Sequence, residues 1–223
     1  MIDLNKSLEV FDPNRYLPNK HAIYIIGCGA VGSHIATLLA RLGCPKLILV
    51  DDDRVSSHNI ANQNFVFNDI GRYKAEVVAE TCRAINPDID VAAKITRWDS
   101  SKQLHHAYVF MCVDSIEPRK EMCRYARVMP GAVEIIMDVR MGLFNHQVYT
   151  VTPDRFKDYQ NTMNFTDEEA DAQTKKSACN FELSVCYTVW EATGICVDRF
   201  IRVLLGQKPS LTTLVEPTAI LDL

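Results

Sequence analysis

The sequence predicts an α/β protein: a doubly wound, mainly parallel sheet with helices on both faces and some antiparallel strands in its second half. Three observations predict it. Short, continuous apolar runs such as Ala22-Ile23-Tyr24-Ile25-Ile26 and Lys46-Leu47-Ile48-Leu49-Val50 have the character of strands buried on both faces. They alternate along the chain with segments of helical period. The first run also passes directly into a glycine turn that opens a helix.

Taken in order, Ala22 to Ile26 is the first strand. Val31, Ile35, Leu38, Leu39 and Leu42 then recur at helical spacing, and Gly43 suits a left-handed C-terminal cap. Lys46 to Val50 is the second strand and closes on Asp51-Asp52-Asp53. Arg72 to Ile85 predicts a helix with Ala75, Val78, Ala79, Cys82 and Ile85 on one face, stopped by Asn86-Pro87. Val91 to Ile95 and Tyr108 to Val113 read as strands, Glu117 to Val128 as a helix, and Val133 to Val139 and Gln147 to Thr152 as later strands with antiparallel pairing. From Pro153 to Ala178 the composition turns to Asp, Glu, Gln, Asn, Lys and Thr with few apolar anchors. That predicts a mobile surface loop, with an exposed helix over Asp167 to Thr174 as the alternative. Phe181 to Leu205 predicts one long buried helix carrying Val185, Val189, Ala192, Cys196 and Phe200, ended by Gly206 and Pro209. No repeat or linker divides the chain, so residues 1–223 read as a single domain with an N-terminal extension over residues 1–20.

Lys plus Arg number 24 against 28 Asp plus Glu, a net charge of −4, which gives no general attraction to nucleic acid or to an anionic membrane. Met1 to Asn19 lack the basic and apolar regions of a secretory leader, and the expectation is a cytoplasmic protein. The eight cysteines are irregularly spaced and sit mostly in apolar runs, so they read as buried free thiols. Without a CxxC pair there is little support for a structural zinc.

Gly27-Cys28-Gly29-Ala30-Val31-Gly32 has GxGxxG spacing at a strand-to-helix turn, where backbone can approach phosphate and a helix N-terminus can receive an anion. Asp51 lies at the tip of the second strand, positioned for ribose hydroxyls, as in Rossmann-like domains. A Walker A loop is absent, so ATP would not be held in P-loop fashion. By itself the fingerprint favours a dinucleotide, and an NAD(P)-dependent oxidoreductase stays open as a reading, although no hydride-transfer constellation stands out in the second half.

Further ordered runs follow: Val55, His58-Asn59-Ile60-Ala61-Asn62-Gln63, Asn68-Asp69-Ile70-Gly71-Arg72-Tyr73-Lys74-Ala75, Ile85-Asn86-Pro87, and Cys112-Val113-Asp114-Ser115 with Arg119. This series resembles the ThiF/MoeB/HesA family of ubiquitin-activating-like adenylyltransferases. The likeness covers roughly Ala22 to Arg119 and, more loosely, the final helix. It implies ATP- and magnesium-dependent adenylation of the C-terminal glycine of a small ubiquitin-like or sulfur-carrier protein, with release of pyrophosphate. It also implies a symmetric homodimer, while the net charge of −4 argues against a nucleic-acid or membrane partner. By resemblance, Gly27, Gly29, Ala30, Gly32, Asp51, Asp53, Asn59 and Gln63 line the nucleotide. Lys74 reaches the phosphates, and Asp114 is associated with magnesium and phosphate. On physical grounds, a carboxylate attacking a polyanion needs its repulsion cancelled by positioned cations.

The chain departs from the family pattern at Asn62, where the family carries an arginine, and at Ala61 before it. An amide can orient phosphate but cannot neutralise it. Arg54, Arg72 and Arg119 are substitutes within the chain, and Arg15 resembles the family's N-terminal arginine that extends into a partner subunit's site. Residues 153–178 occupy the place of the family's crossover loop, and Cys179, ahead of Cys186 and Cys196 on the buried helix face, corresponds to the position of an acyl-accepting thiol. The lost arginine also leaves open a non-catalytic, dimeric scaffold. A tRNA-modifying dehydratase branch, which adenylates a small carboxylate on RNA, ranks below a protein partner on charge.

Overall fold

The computed structural model describes residues 3–4, 9–17, 21–142, 145–169 and 186–215. Within them the strands are β1 (Ile23–Ile26), β2 (Lys46–Val50), β3 (Asp90–Lys94), β4 (Ala107–Met111), β5 (Val133–Met141), β6 (His146–Val151) and β7 (Thr212–Val215). They form one sheet in the order β3-β2-β1-β4-β5-β6-β7. Pairing is parallel from β3 through β5 and antiparallel from β5 to β6 and from β6 to β7. In the central register Ile25 pairs with Leu49 on one side and Phe110 on the other, and every residue of β4 is buried. That double burial is why these strands read as unbroken apolar runs.

The helices are α1 (Pro13–Tyr16), α2 (Ala30–Arg41), α3 (Lys74–Ile85), α4 (Glu117–Val128), α5 (Phe156–Asn161) and α6 (Cys186–Leu204). α2, α3 and α6 cover one face, packing residues such as Ile35, Val78 and Phe200 onto Ile25, Leu49 and Phe110. α4 and α5 cover the other, with Met122 and Tyr159 against Val109, Met111 and Ile136. Gly43 ends α2 with φ +77°, where a Cβ would meet Pro13 and Leu4, so the N-terminal segment is seated against the far end of α2.

The later strands β5 and β6 pair antiparallel as expected, while β5 itself runs parallel to β4. Three expectations change. The helix predicted from Arg72 begins at Lys74, because the chain before it is held by the strand-like pairing of Arg54 with Tyr73 and by the Val55 N–H, which donates to the Arg72 carbonyl. The polar stretch from Pro153 is not a surface loop in its first part. Phe156, Tyr159 and Met163 are buried at helical spacing and anchor α5, and the polar residues between them face outward. Residues 167–169 then start another helical turn. Finally, Cys186 is exposed at the head of α6 and not on its buried face, whereas Cys28, Cys44, Cys82, Cys123 and Cys196 are buried thiols as expected. Cys179 lies outside the described residues. No described helix is long and apolar enough to cross a membrane.

Candidate functional site

The strand order reverses between β1 and β4, and an open α/β sheet forms its binding crevice beyond the carboxyl ends of the strands at such a switch. The glycine turn follows β1, Asp51 to Asp53 follow β2, and Asp114 follows β4, so the sequence motifs converge on one edge of the sheet.

The three glycines have different reasons to be there. Gly27 has φ +91°, its N–H donates to the Val50 carbonyl at 2.9 Å, and a Cβ on it would lie 2.5 Å from the Cys112 carbonyl oxygen. A Cβ on Gly32 would lie 1.9 Å from the Gly27 carbonyl oxygen. Both are required by the packing of the turn between β1, β4 and α2. Gly29 is different: a Cβ there would meet nothing closer than the Gln63 carboxamide at 3.9 Å. Gly29 is also the N-cap of α2 and offers no side chain to the first N–H groups of the helix, those of Ala30 and its successors. Gln63 Oε1 is buried without a hydrogen-bond partner among the described residues. An open glycine, uncapped helix donors and an orphan carboxamide oxygen form a cradle suited to the phosphates and polar edges of a nucleotide.

Asp51 accepts from the Cys28 N–H at 2.6 Å and from the Asp53 N–H at 2.8 Å, so it ties the glycine turn to the β2 tip. Burial lifts its carboxyl above the ordinary range, while those two N–H groups and Lys74 oppose the rise. Lys74 is only 8% exposed, and its ammonium lies 2.9 Å from Asp53 Oδ2, with its own N–H on the Asp53 carbonyl. It is therefore a buried, aimed cation at the head of α3 and not a solvated one. Oxygens of Asp51, Asp52 and Asp53 lie within 4.8 Å of one another, but each carboxylate is already engaged, Asp52 by Arg97 at 3.2 Å.

Asp114 is exposed and makes no hydrogen bond or ion pair among the described residues. It does not cap α4: the N-cap is Ile116, whose N–H donates to Asp167 at 2.6 Å. Its carboxylate is thus available as a hard oxygen ligand of the type magnesium takes. Asn59 is mostly engaged locally, its Oδ1 accepting from the N–H and hydroxyl of Ser56, which shapes the turn carrying Asn62 and Gln63. Asn62 caps that turn, half-exposed.

The substitute cations separate clearly. Arg119 is buried and bonded to Asp138, Ser115, Val113 and Val139. Arg72 is paired with Asp69 and Glu80. Arg54 lies over the Tyr73 ring at 3.7 Å, beside Lys74, with one N–H on Gly71. Arg15 is exposed on α1, near the Gly43 end of α2 and so about 18 Å along that helix from the glycine turn.

Motif reading passes over Asp138, Arg140, Tyr159 and Asp167. Asp138 is fully buried and accepts from Arg119 Nε (2.7 Å), Arg140 Nε (2.8 Å) and Tyr159 Oη (3.0 Å). The available signal was one acid inside the apolar run Ile135-Ile136-Met137-Asp138-Val139.

Known proteins resemble this chain in sequence and in fold. The chain is 35% identical over 111 residues to tRNA threonylcarbamoyladenosine dehydratase of Escherichia coli (strain K12), covering 47% of this chain and 41% of that protein. It is 35% identical over 114 residues to ubiquitin-like modifier-activating enzyme 5 of Drosophila ananassae, covering 44% and 29%. It therefore spans less than half the length of either relative. The crystal structure of E. coli MccB with ATP superposes with a TM-score of 0.72 at 17% identity, over 93% of this chain and 64% of that one, a likeness of fold. The model of the ThiF family matches residues 14–220, nearly the whole chain. The protein is a member of the ThiF family.

Proposed function

We propose that this protein uses ATP to adenylate a carboxylate, and that the carboxylate is the C-terminal glycine of a small ubiquitin-like or sulfur-carrier protein. The observation that carries the reading is the convergence of the uncapped α2 N-terminus, buried Lys74 and unpartnered Asp114 on one edge of the sheet. Similarity to an enzyme named for activating a ubiquitin-like modifier supports the class of substrate, and a neighbour of the same fold solved with ATP supports the nucleotide.

In this reading Gly27, Gly29, Ala30 and Gly32 form the phosphate cradle, Asp51 and Asp53 order the β2 tip, and Asn59 sets the turn that presents Asn62 and Gln63. Lys74 neutralises phosphate charge. A magnesium ion would be held at Asp114, where it would screen charge on the polyphosphate. The incoming carboxylate oxygen bonds to the α-phosphorus, the α–β bridging bond breaks, and its electron pair leaves with pyrophosphate. Arg15 serves the site of a second copy in a homodimer, and the Cys179 thiol, losing its proton to solvent, attacks the acyl carbon so that a thioester forms as the acyl–phosphate C–O bond breaks and AMP leaves. Asp167 accepts from the Ile116 N–H at the head of α4, and α6 lays Trp190 5.7 Å from His34 in the first turns of α2. Both flanks support a crossover role for the part of residues 153–178 beyond Met163.

The test is ATP–pyrophosphate exchange dependent on a small glycine-ended protein. No exchange with any such partner sinks the proposal. Carrier binding without exchange at saturating magnesium and ATP selects the scaffold, and nicotinamide dinucleotide binding with no response to ATP selects the oxidoreductase. A second reading, adenylation of a carboxylate on tRNA, rests on the equal identity to the E. coli dehydratase. Release of AMP that requires tRNA and no protein partner would select it.

A further inference from the structure

Among the described residues Asp114 makes no hydrogen bond or ion pair of its own, yet the chain on either side of it is clamped. Arg119 donates from Nη2 to the Val113 carbonyl at 2.6 Å and from Nη1 to the Ser115 carbonyl at 2.7 Å, so one guanidinium grips both neighbours of the acid. Its Nε is fixed on Asp138 Oδ1. The other oxygen of Asp138 accepts from Arg140 and from the Tyr159 hydroxyl. Arg140 in turn donates to the Thr162 carbonyl at 3.0 Å and hydroxyl at 3.1 Å, its plane lying 4.2 Å over the Tyr149 ring. From the same stretch of chain, Phe165 accepts from Lys120 at 2.7 Å and Asp167 accepts from the Ile116 N–H. The Asp114 loop is thus gripped from behind by the buried network and from its far side by the 162–167 segment.

We propose that Asp138 is a positioning residue for Asp114, acting through Arg119, and that Tyr159 and Arg140 make that positioning depend on docking of the 162–167 segment against α4. The inference rests on the reading of Asp114 as a phosphate- and magnesium-facing group. A buried ion pair contributes little net stability compared with apolar packing of the same volume, and its best-attested use is to fix geometry. Here the geometry is specific: a lysine at position 119 would carry its three donors on one nitrogen, whereas the planar fork of arginine spreads its donors to hold the Val113, Ser115 and Val139 carbonyls and the Asp138 carboxylate at once. The network also spans exactly those elements that must agree if an arriving substrate is to meet an ordered acid: β5, the head of α4, α5 and the segment leading to the crossover region.

The experiment uses the full chain with Tyr159→Phe, Asp138→Asn, Arg119→Lys and, as a reference, Asp114→Asn. Two quantities are read: amide hydrogen exchange of residues 113–117, and the magnesium dependence of ATP–pyrophosphate exchange, resolved into kcat and KM. Tyr159→Phe is expected to stay folded, to exchange the 113–117 amides about tenfold faster, and to lose about tenfold in kcat with KM for ATP changed less than twofold. Its half-saturating magnesium concentration should rise. Asp114→Asn should lose activity with the loop amides unchanged. Arg119→Lys should loosen the loop as Tyr159→Phe does. Should Asp138→Asn unfold, Tyr159→Phe decides alone. Unaltered loop protection in folded Tyr159→Phe, or a lowered Tm with kcat per folded molecule intact, overturns the inference. If the wild-type chain shows no exchange with any carrier, the proposed function fails, and the amide measurement still decides whether the network sets the loop.

Discussion

Arg119 and Asp138 form a buried pair, Nε to Oδ1 at 2.7 Å, with side chains 6% and 0% exposed. Burial raises the carboxyl's proton affinity, but Arg119 and Arg140 together outweigh it, so the Asp138 pKa lies below the ordinary carboxylate value. A depressed folded pKa contributes stability above the unfolded value, near 3.9, that is lost as pH falls through the folded one. Wild-type protein should therefore lose stability below about pH 4. Asp138→Asn should cost about 3–5 kcal/mol at pH 7 by leaving Arg119 charged and unpaired, and should flatten the acid limb. Urea unfolding at pH 7 and pH 3.5 checks this; parallel losses in the two proteins would contradict it.

The three glycines separate packing from binding. Gly27→Ala and Gly32→Ala should each cost about 2–4 kcal/mol, the first combining a left-handed backbone with a clash and the second a clash alone. Gly29→Ala should keep the wild-type Tm and weaken ATP about tenfold or more, since a methyl group would enter space free of protein atoms. Thermal melts alongside nucleotide titrations distinguish the classes. A Gly29→Ala protein that binds ATP normally removes the cradle from the site.

Removing the buried cation should be costly to chemistry and mild for folding. Lys74→Met keeps the aliphatic stem, so α3 and its packing should survive while exchange activity falls about 10²–10³-fold, the scale of one lost electrostatic partner in a preorganised site. Circular dichroism together with pyrophosphate exchange measures both sides. A fall of less than threefold would assign Lys74 to the Asp53 pair alone.

Asn62→Arg tests the departure from the family pattern. The half-exposed turn has room for a longer side chain, and a guanidinium there would make charge-assisted bonds about twice as strong as those of an amide. Exchange activity should rise about tenfold through kcat. An unchanged or lower rate means that Arg54, stacked beside Lys74, already supplies the charge.

His146 is 1% exposed at the start of β6, and both ring nitrogens lack partners among the described residues. Burial lowers its pKa, with Glu191 acting in the opposite sense. A lowered folded pKa means that the unfolded chain binds the proton first, so stability falls as pH drops below about 6.5. His146→Leu should remove that part of the pH dependence, raising Tm relative to wild type more at pH 5.5 than at pH 8. Equal shifts at the two pH values would exclude titration of this ring.

The parts of the fold legible in the sequence are those whose pattern is dictated locally. β1, β2 and β4 read as unbroken apolar runs because both of their faces are covered, and α4 is legible from Glu117 to Val128 because its apolar residues keep helical period, although no side chain caps its start. β7 was missed because Thr212–Val215 is a short edge strand defined by its pairing with β6 and by no pattern of its own. α5 was missed because three anchors, Phe156, Tyr159 and Met163, are diluted by polar residues whose exposure the sequence gives no way of knowing. In the site, the glycine turn and Asp51 are read from spacing at a strand-to-helix turn, whereas Lys74 and Asp114 enter through the family resemblance. That Arg119 is a clamp and no free cation was not legible, since its meaning lies in two carbonyls and an acid on β5, contacts made only by the tertiary fold.

Because α1 sits at the opposite pole of α2 from the nucleotide cradle, Arg15 is out of reach of the crevice formed by its own polypeptide. Whatever electrostatic help it lends is intermolecular. If the proposed homodimer places Arg15 in its partner's crevice, two individually crippled preparations, one lacking Arg15 and the other Lys74, should rescue each other on mixing, because a hybrid pair contains one crevice with both cations intact.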